Sequence, residues 1–337
     1  MRATLKYAGR TFLFLVVALA LAVIVNASFW TQYKAPLTVL AHRGLAQTYH
    51  RDGLTNETCT AARIYPPEHP YLENTIASMK AAFAAGADIV EFDVHPTTDG
   101  HFAITHDWRL ECRTNGTGVT RNHTLAELQR LDIGYGYTAD GGKTFPFRGK
   151  GVGLMPSLDE VLATFPDRRF LINVKSNDPH EGDLLADRLL QLPSEQLARL
   201  MSYGGDRPMA TLHERIPKMR TTSRKSVVAC GTRYLALGWT GYVPEACRNS
   251  IILMPVNAGF LLWGWPNLFF ERMNGAGTQV FVTGPYTSGD PGTVGIDRAE
   301  DIARLPDDFS GGIWTNRVDC IAPKLGRKAE PQSTSAP

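Results

Sequence analysis

The chain of 337 residues carries 35 basic and 33 acidic side chains, a formal net charge of +2, with 43% hydrophobic and 20% charged content. So even a balance excludes recognition of nucleic acid by bulk electrostatics, and the apolar share supports one large domain with decorations. Five cysteines, at positions 59, 112, 230, 247 and 320, include no CxxC pair and no Cys/His cluster, which excludes a zinc site of ordinary spacing.

Arg2, Lys6 and Arg10 precede an apolar run, Phe12–Val25, that continues to Trp30. As one helix, Phe12–Trp30 would measure about 28 Å, close to the ~30 Å hydrocarbon core of a bilayer. Basic residues before it and a Trp after it fit a transmembrane helix within residues 1–36. Val25 and Ala27 also suit a signal-peptidase site, which would release the chain. Either way the remainder is expected outside the cytoplasm, periplasmic or extracellular. There, Cys59 with Cys112 and Cys230 with Cys247 are the bridges that sequence proximity suggests, leaving Cys320 over. Asn56-Glu57-Thr58, Asn115-Gly116-Thr117 and Asn122-His123-Thr124 match the glycosylation acceptor pattern, which matters only in a eukaryotic secretory route.

Leu37–Ala41 reads as a strand ending in His42-Arg43-Gly44. A long polar loop with at most one helical turn follows, and loops of that length are usually functional. Glu73-Asn74-Thr75 opens a helix, with Asn74 or Thr75 as its cap. Gly86 stops it, and Asp88–His95 is the next strand. Glu91 and Asp93 stand two residues apart in that strand and so share a face. Two acids at a strand end are costly unless a metal, a base or a donor meets them. Phe102–Thr105 is a short strand that leads to His106-Asp107.

Thr124/Glu127 and Ser157/Glu160 read as capping boxes of two helices. Residues 132–153, rich in glycine and aromatics, form a loop expected to wall one side of a pocket. Further strands are expected at Arg169–Val174, Leu200–Tyr203, Val227–Ala229, Ile251–Met254, Gln279–Thr283 and Gly312–Thr315. Further helices are expected at His180–Leu192, Met209–Ile216, Pro266–Asn274 and Arg298–Leu305. Setting aside Phe102–Thr105 leaves eight strands alternating with helices over residues 37–322, which fits a closed (β/α)8 TIM barrel. A doubly wound open sheet is the alternative, but no glycine-rich dinucleotide loop follows Leu37–Ala41. Residues 323–337 are expected to form a disordered tail.

His42, Glu91, Asp93, His106, Asn173 and Lys175 fall at or just after the C-terminal ends of strands, the face on which barrels assemble chemistry. Two carboxylates and an amide suit a hard divalent cation, Mg²⁺ or Ca²⁺, better than zinc. Lys175 and Arg43 suit an anion, and two imidazoles suit acid and base. Together these parts suit phosphodiester hydrolysis.

The chain resembles the glycerophosphodiester phosphodiesterase family through His42-Arg43-Gly44, Glu73-Asn74-Thr75, Gly86-Ala87-Asp88, Glu91-x-Asp93-Val94, Thr98-Asp99-Gly100 and His106-Asp107. Looser echoes are Pro156-x-Leu158, Asn173-Val174-Lys175 and Gly312–Thr315. The resemblance implies a metal-dependent (β/α)8 barrel that releases an alcohol and glycerol 3-phosphate. It implies His42 and His106 as the catalytic pair, and Glu91, Asp93 and Asn173 at the metal positions. It further implies Arg43 and Lys175 as phosphate contacts and Glu73 as their support. In the family pattern the Asn173 position is a carboxylate. A tryptophan-threonine strand end is here Val282-Thr283-Gly284, and a terminal Thr-Asp is Thr315-Asn316. Two further readings stay open. The anchor and the Phe260–Phe270 segment, with Trp263 and Trp265, would suit phospholipase D-like hydrolysis of lysophospholipids or sphingolipids at a membrane. Asn173 would suit a non-catalytic barrel that binds phosphorylated ligands.

Overall fold

The computed structural model describes residues 2–55, 57–287, 294–307 and 309–327. Asn56 of the first glycosylation pattern and the tail 328–337 lie outside the described residues. In chain order the elements are α1 (Arg2–Val25), β1 (Thr38–His42), α2 (Ile76–Ala84), β2 (Ile89–Pro96), β3 (Phe102–Ile104), α3 (Leu125–Gln129), α4 (Leu158–Thr164) and β4 (Arg169–Val174). They continue as α5 (Pro179–Leu189), α6 (Ser194–Leu197), β5 (Leu200–Gly204), α7 (Asp206–Arg215), β6 (Arg220–Ser223), α8 (Arg224–Leu237), β7 (Ile251–Pro255), α9 (Asn267–Gly275), β8 (Gln279–Thr283), α10 (Ala299–Ile302), β9 (Gly312–Thr315) and α11 (Val318–Lys324).

The strands pair in the order β6-β5-β4-β2-β1-β9-β8-β7, all parallel, with β3 attached antiparallel to β2. This is a nearly closed eight-stranded barrel with helices outside. Its seam lies between β6 and β7, which are neighbours without a ladder among the described residues; Ser250 Oγ crosses it, donating to Thr221 O at 3.1 Å. Strand alternation divides the core. Leu40, Ile89, Leu171, Met201, Ile251, Phe281 and Trp314 fill the barrel, while Val39, Val90, Phe92, Phe170 and Ile172 pack outward against the helices.

The expected capping boxes form at Thr124/Glu127 and Ser157/Glu160, and Thr75 caps α2. Both suggested disulfides form, Cys59–Cys112 and Cys230–Cys247, and Cys320 is the free thiol. One strand was misplaced. Val227–Ala229 lies inside α8, which Ser223 caps by accepting from Ser226 N. The sixth strand is instead the polar run Arg220–Ser223 just before it. Val228 is exposed, so its apolar character marked no core position.

The N-terminal expectation also changes. The helix does not run from Phe12 to Trp30. It ends at Val25, where the Asn26 side chain donates to Ala22 O and to Trp239 O, both at 2.8 Å, and Ser28–Trp30 is a separate short turn. The apolar stretch left inside α1, residues 12–25, spans about 21 Å at 1.5 Å per residue. Among the described residues no helix is long and apolar enough to cross a membrane. At the other end the fold reaches into the segment read as tail. α11 runs to Lys324, and Arg327 donates to Leu37 O at 3.1 Å and pairs with Asp88.

Candidate active site

Register carries the site together. His42 lies opposite Glu91 across β1 and β2, and Asp93 lies opposite Asn173 across β2 and β4. Alternation turns these four into the barrel above Leu40, Ile89 and Leu171. Glu91 and Asp93 are completely buried, so their oxygens need donors. Glu91 Oε1 accepts from Tyr203 OH at 2.7 Å, and Oε2 accepts from Arg43 N at 3.1 Å, with His42 Nε2 3.8 Å away. Asp93 Oδ1 accepts from Asn173 Nδ2 at 2.8 Å and lies 3.5 Å from Lys175 Nζ. Asp93 Oδ2 accepts from Asn74 Nδ2 at 3.0 Å and lies 3.3 Å from Arg43 Nε.

The turn after β1 is built for this purpose. Arg43 and Asn74 both adopt left-handed backbone, φ 58° and 59°, which costs about 1–3 kcal/mol per residue. They hold one another: Asn74 N donates to Arg43 O at 3.0 Å. Gly44, φ 79°, completes the turn where a Cβ would sit 2.5 Å from Ser78 Oγ. The strain aims the Arg43 guanidinium at Glu73 Oε1, 2.9 Å away, and at Asp93.

A second network carries His106. Its Nδ1 donates to Asp107 Oδ1 at 2.9 Å, and Nε2 has no hydrogen-bond partner among the described residues. Arg113 holds Asp107 from behind, donates to Glu73 Oε2 at 3.2 Å and to Thr60 Oγ1 at 2.6 Å, and meets Tyr137 OH at 3.1 Å. Glu73 therefore joins the two halves, with Arg43 on one oxygen and Arg113 on the other. His95 shares the face of Glu91 and Asp93, but its ring meets the backbone carbonyl of His106 at 3.4 Å and the edge of Trp108 rather than either acid.

A third network fixes His42. Asn316 donates through Nδ2 to Asp297 Oδ2 at 2.8 Å and through N to Asp297 Oδ1 at 2.7 Å. Its Oδ1 thus faces His42 Nδ1, at 2.6 Å. An amide oxygen only accepts, so Nδ1 carries the proton and the Nε2 lone pair points toward Glu91.

Burial sets the charge states. It pushes His42 down to about 3, with Arg43 adding to the effect, and it lowers His106 together with Arg43 and Lys175. Burial and the neighbouring Asp93 charge raise Glu91. Burial works against the Asp93 charge as well, but Lys175 and Arg43 overcome it and hold Asp93 well below the usual carboxylate range. Neutral imidazoles are thus favoured at rest, and at Glu91 burial and the Asp93 charge outweigh the help of Arg43 and Lys175.

That imbalance bears on a metal. Glu91 and Asp93 present two hard-oxygen groups on one face and fit a divalent cation. Asn173 does not fit as placed, because its amide nitrogen, not its oxygen, meets Asp93. Among the described residues no group of three His, Cys, Asp or Glu side chains gathers as a metal site.

The expected site residues therefore assemble: His42, Arg43, Glu73, Glu91, Asp93, His106, Asn173 and Lys175 interlock through the contacts above. Arg43, His106 and Lys175 open onto a cavity of about 460 Å³, walled by Tyr49, Trp108 and the Cys59–Cys112 bridge. Tyr203, Arg113 and Asp297 were missed. Tyr203 ends a strand and was findable on that ground; Arg113 and Asp297 sit in loops, where nothing in the local sequence marks them.

A parallel barrel with buried acids, imidazoles and cations at its strand ends defines a pocket suited to an anionic ligand. Residues 42–202 match the model of the glycerophosphoryl diester phosphodiesterase family. A glycerophosphodiester phosphodiesterase of Bacillus subtilis is 37% identical over 268 residues, 76% of this chain and 80% of that one. One of Caldanaerobacter subterraneus is 40% identical over 103 residues, 31% of this chain but only 39% of that one. In fold, the chain is similar to an Oleispira antarctica phosphodiesterase whose structure holds the product sn-glycerol-3-phosphate, at 18% identity and a TM-score of 0.54, covering 86% of this chain and 96% of that one. The chain belongs to the glycerophosphoryl diester phosphodiesterase family.

Proposed function

We propose that the protein hydrolyses glycerophosphodiesters to glycerol 3-phosphate and an alcohol. One observation supports this above the rest: Asp93 lies within electrostatic reach of both imidazoles and of both Arg43 and Lys175, so acid, base and anion contacts share one centre. The product held by the Oleispira relative supports the substrate class.

In this reading Arg43 and Lys175 bind the phosphoryl oxygens. His42, neutral and with its Nε2 lone pair presented by Asn316, takes the proton of water or of the glycerol 2-hydroxyl as that oxygen attacks phosphorus; in the second case the product is a cyclic glycerol phosphate, which a water then opens to glycerol 3-phosphate. His106 lines the cavity where the alcohol would lie. The bound phosphodiester anion and Asp107 at Nδ1 favour uptake of a solvent proton at its Nε2, and Nε2 then gives that proton to the departing alcohol oxygen as the P–O bond breaks. A divalent cation, Mg²⁺ or Ca²⁺, would be held by Glu91 and Asp93 and would supply charge neutralisation at the phosphoryl oxygens. Asn173 would join only by turning its amide oxygen inward.

The test is release of glycerol 3-phosphate from a soluble diester, with and without Mg²⁺ or Ca²⁺. His106→Ala is expected to lower kcat at least about 100-fold. Full-rate turnover by that variant would remove the reading, and diester binding without turnover under every metal would favour the ligand-binding barrel.

We further propose that α1 holds the barrel against a membrane outside the cytoplasm. Leu13, Phe14, Leu15, Val16 and Val17 are all exposed, so every side of the helix is apolar. The two disulfides support an oxidising compartment. Release of the full chain from membranes by alkaline carbonate would count against this, as would a mature N-terminus beyond Ala27. Phe260 and Leu261, exposed just after β7, favour a second reading in which lysolipids are substrates. Trp265 packs in the core against Phe269 and Phe270 and gives that reading no support. Faster turnover of vesicle-bound lysolipid than of the deacylated diester would decide for it.

A further inference from the structure

At the end of the barrel opposite the candidate active site, the starts of β1, β4, β6, β8 and β9 surround a hollow of about 340 Å³. Arg169 opens β4 and Arg220 opens β6, and both line it half-buried. Arg169 Nη2 donates to Gln279 Oε1 at 2.8 Å, and Arg220 Nε donates to Gly277 O at 2.6 Å. Burial lowers the pKa of both guanidiniums, Arg220 adds to the effect at Arg169, and no carboxylate among the described residues offsets it at either. Tyr33 OH accepts from Asn274 Nδ2 at 2.6 Å, which leaves its own O–H free to donate into the hollow.

The bottom of such a barrel ordinarily serves stability alone. Several arginines here are paired with acids: Arg215 with Asp183 and Asp187, Arg327 with Asp88, Arg113 with Glu73 and Asp107. Arg169 and Arg220 pair with no acid among the described residues, and they share one hollow. Two guanidiniums gathered over one hollow with only amide and carbonyl acceptors repel each other and lose hydration. An anion relieves both costs, and planar guanidiniums suit phosphate oxygens best. The segment that joins α1 to β1 runs along α9, with Thr31 donating to Glu271 at 2.5 Å, and Tyr33, Ala35 and Pro36 then wall the hollow.

We propose that Arg169, Arg220 and Tyr33 form a second anion site that takes a phosphate group, either free or as a phospholipid headgroup. It is independent of the catalytic reading, because none of its residues touches the strand-end site.

The test uses the full chain in neutral detergent, titrated calorimetrically with inorganic phosphate, beside Arg169→Gln and Arg220→Gln. Phosphate binding at the catalytic end is common to all three proteins, so the difference between isotherms reports this hollow. Each variant is expected to lose about tenfold in affinity for one phosphate, with turnover of a soluble diester unchanged. Gln279→Glu sets a carboxylate beside Arg169 with little change of volume, and is expected to abolish the same binding should either arginine variant fail to fold. Sedimentation with phosphatidylcholine vesicles, with and without one-fifth phosphatidylglycerol, separates the sources. Selective loss of the anionic-vesicle binding in the variants assigns a lipid headgroup, and loss confined to soluble phosphate assigns the free ion. Isotherms and vesicle binding that match the unaltered protein in all variants would overturn the proposal.

Discussion

Asn316 Oδ1 sits 2.6 Å from His42 Nδ1, and behind it Asp297 accepts from both the side chain and the backbone of Asn316. The amide thus selects one tautomer of a buried imidazole and fixes where its Nδ1 points. Asn316→Ala is expected to lower kcat about 10- to 100-fold, the usual cost of losing such an orienting partner, with KM nearly unchanged. Asn316→Asp keeps an acceptor at the same place and should recover most of the rate. Equal loss in both variants would mean that the contact does not orient the ring.

Asn173 offers Asp93 a donor where a third carboxylate would offer a cation another oxygen. Asn173→Glu is expected to tighten Mn²⁺ or Mg²⁺ binding about tenfold or more, since affinity in such sites follows the count of charged oxygens. Calorimetry reads this directly. Unchanged affinity would show that the position lies outside the coordination sphere.

Arg113 is buried and joins Asp107 to Glu73. Arg113→Ala takes the arginine from half-buried Asp107 and one of two from buried Glu73, which keeps Arg43; breaking such a pair typically costs about 3–5 kcal/mol. The urea midpoint should fall accordingly. Activity should fall as well, since His106 loses a fixed Asp107. A midpoint within experimental error of the parent would contradict the role assigned to Arg113.

Acid should destabilise the fold well above the carboxylate range. His42, His95 and His106 have lowered pKa values in the folded state, so below about pH 6.5 the unfolded chain binds protons that the folded chain refuses. Each such group contributes about 1.4 kcal/mol per pH unit, down to about 3 for His42 and about 4 for His95. Glu91, Glu181 and Asp297 act in the opposite sense, because their raised pKa values favour the folded state as pH falls; against them stand four lowered imidazoles, His69 included. Glu73, Asp93 and Asp107 have lowered pKa values, so their contribution is present above about pH 4.5 and is lost below it. The Tm is therefore expected to drop between pH 7 and 5 and again below 4.5. A flat Tm from pH 7 to 5 would show that the imidazoles are not held neutral.

Much of this architecture is legible in the residues. The two-residue spacing of Glu91 and Asp93, the apolar runs beside them, and His42 and His106 at strand ends place the site before any coordinates do. The errors have physical sources. β6 is Arg-Thr-Thr-Ser, a strand held by its neighbours β5 and α8, while Val227–Ala229 carries strand-like side chains inside a capped helix. Tertiary context overrode propensity at both places. The end of α1 depended on Asn26 finding Trp239 O, a partner 213 positions away, which no local pattern announces. The same holds for Asp297 behind Asn316 and for Arg113 between two acids. Each is defined by what long-range folding brings to it.

The bond between Cys59 and Cys112 clasps two excursions of chain separated by 53 positions, and both sulfurs stand on the rim of the catalytic hollow. Tying so long a segment is worth about 4 kcal/mol in lost freedom of the unfolded chain. A molecule made where thiols stay reduced must close that wall without the clasp. The rim of the candidate substrate cavity would then be left to the weaker grip of Arg113 on Thr60.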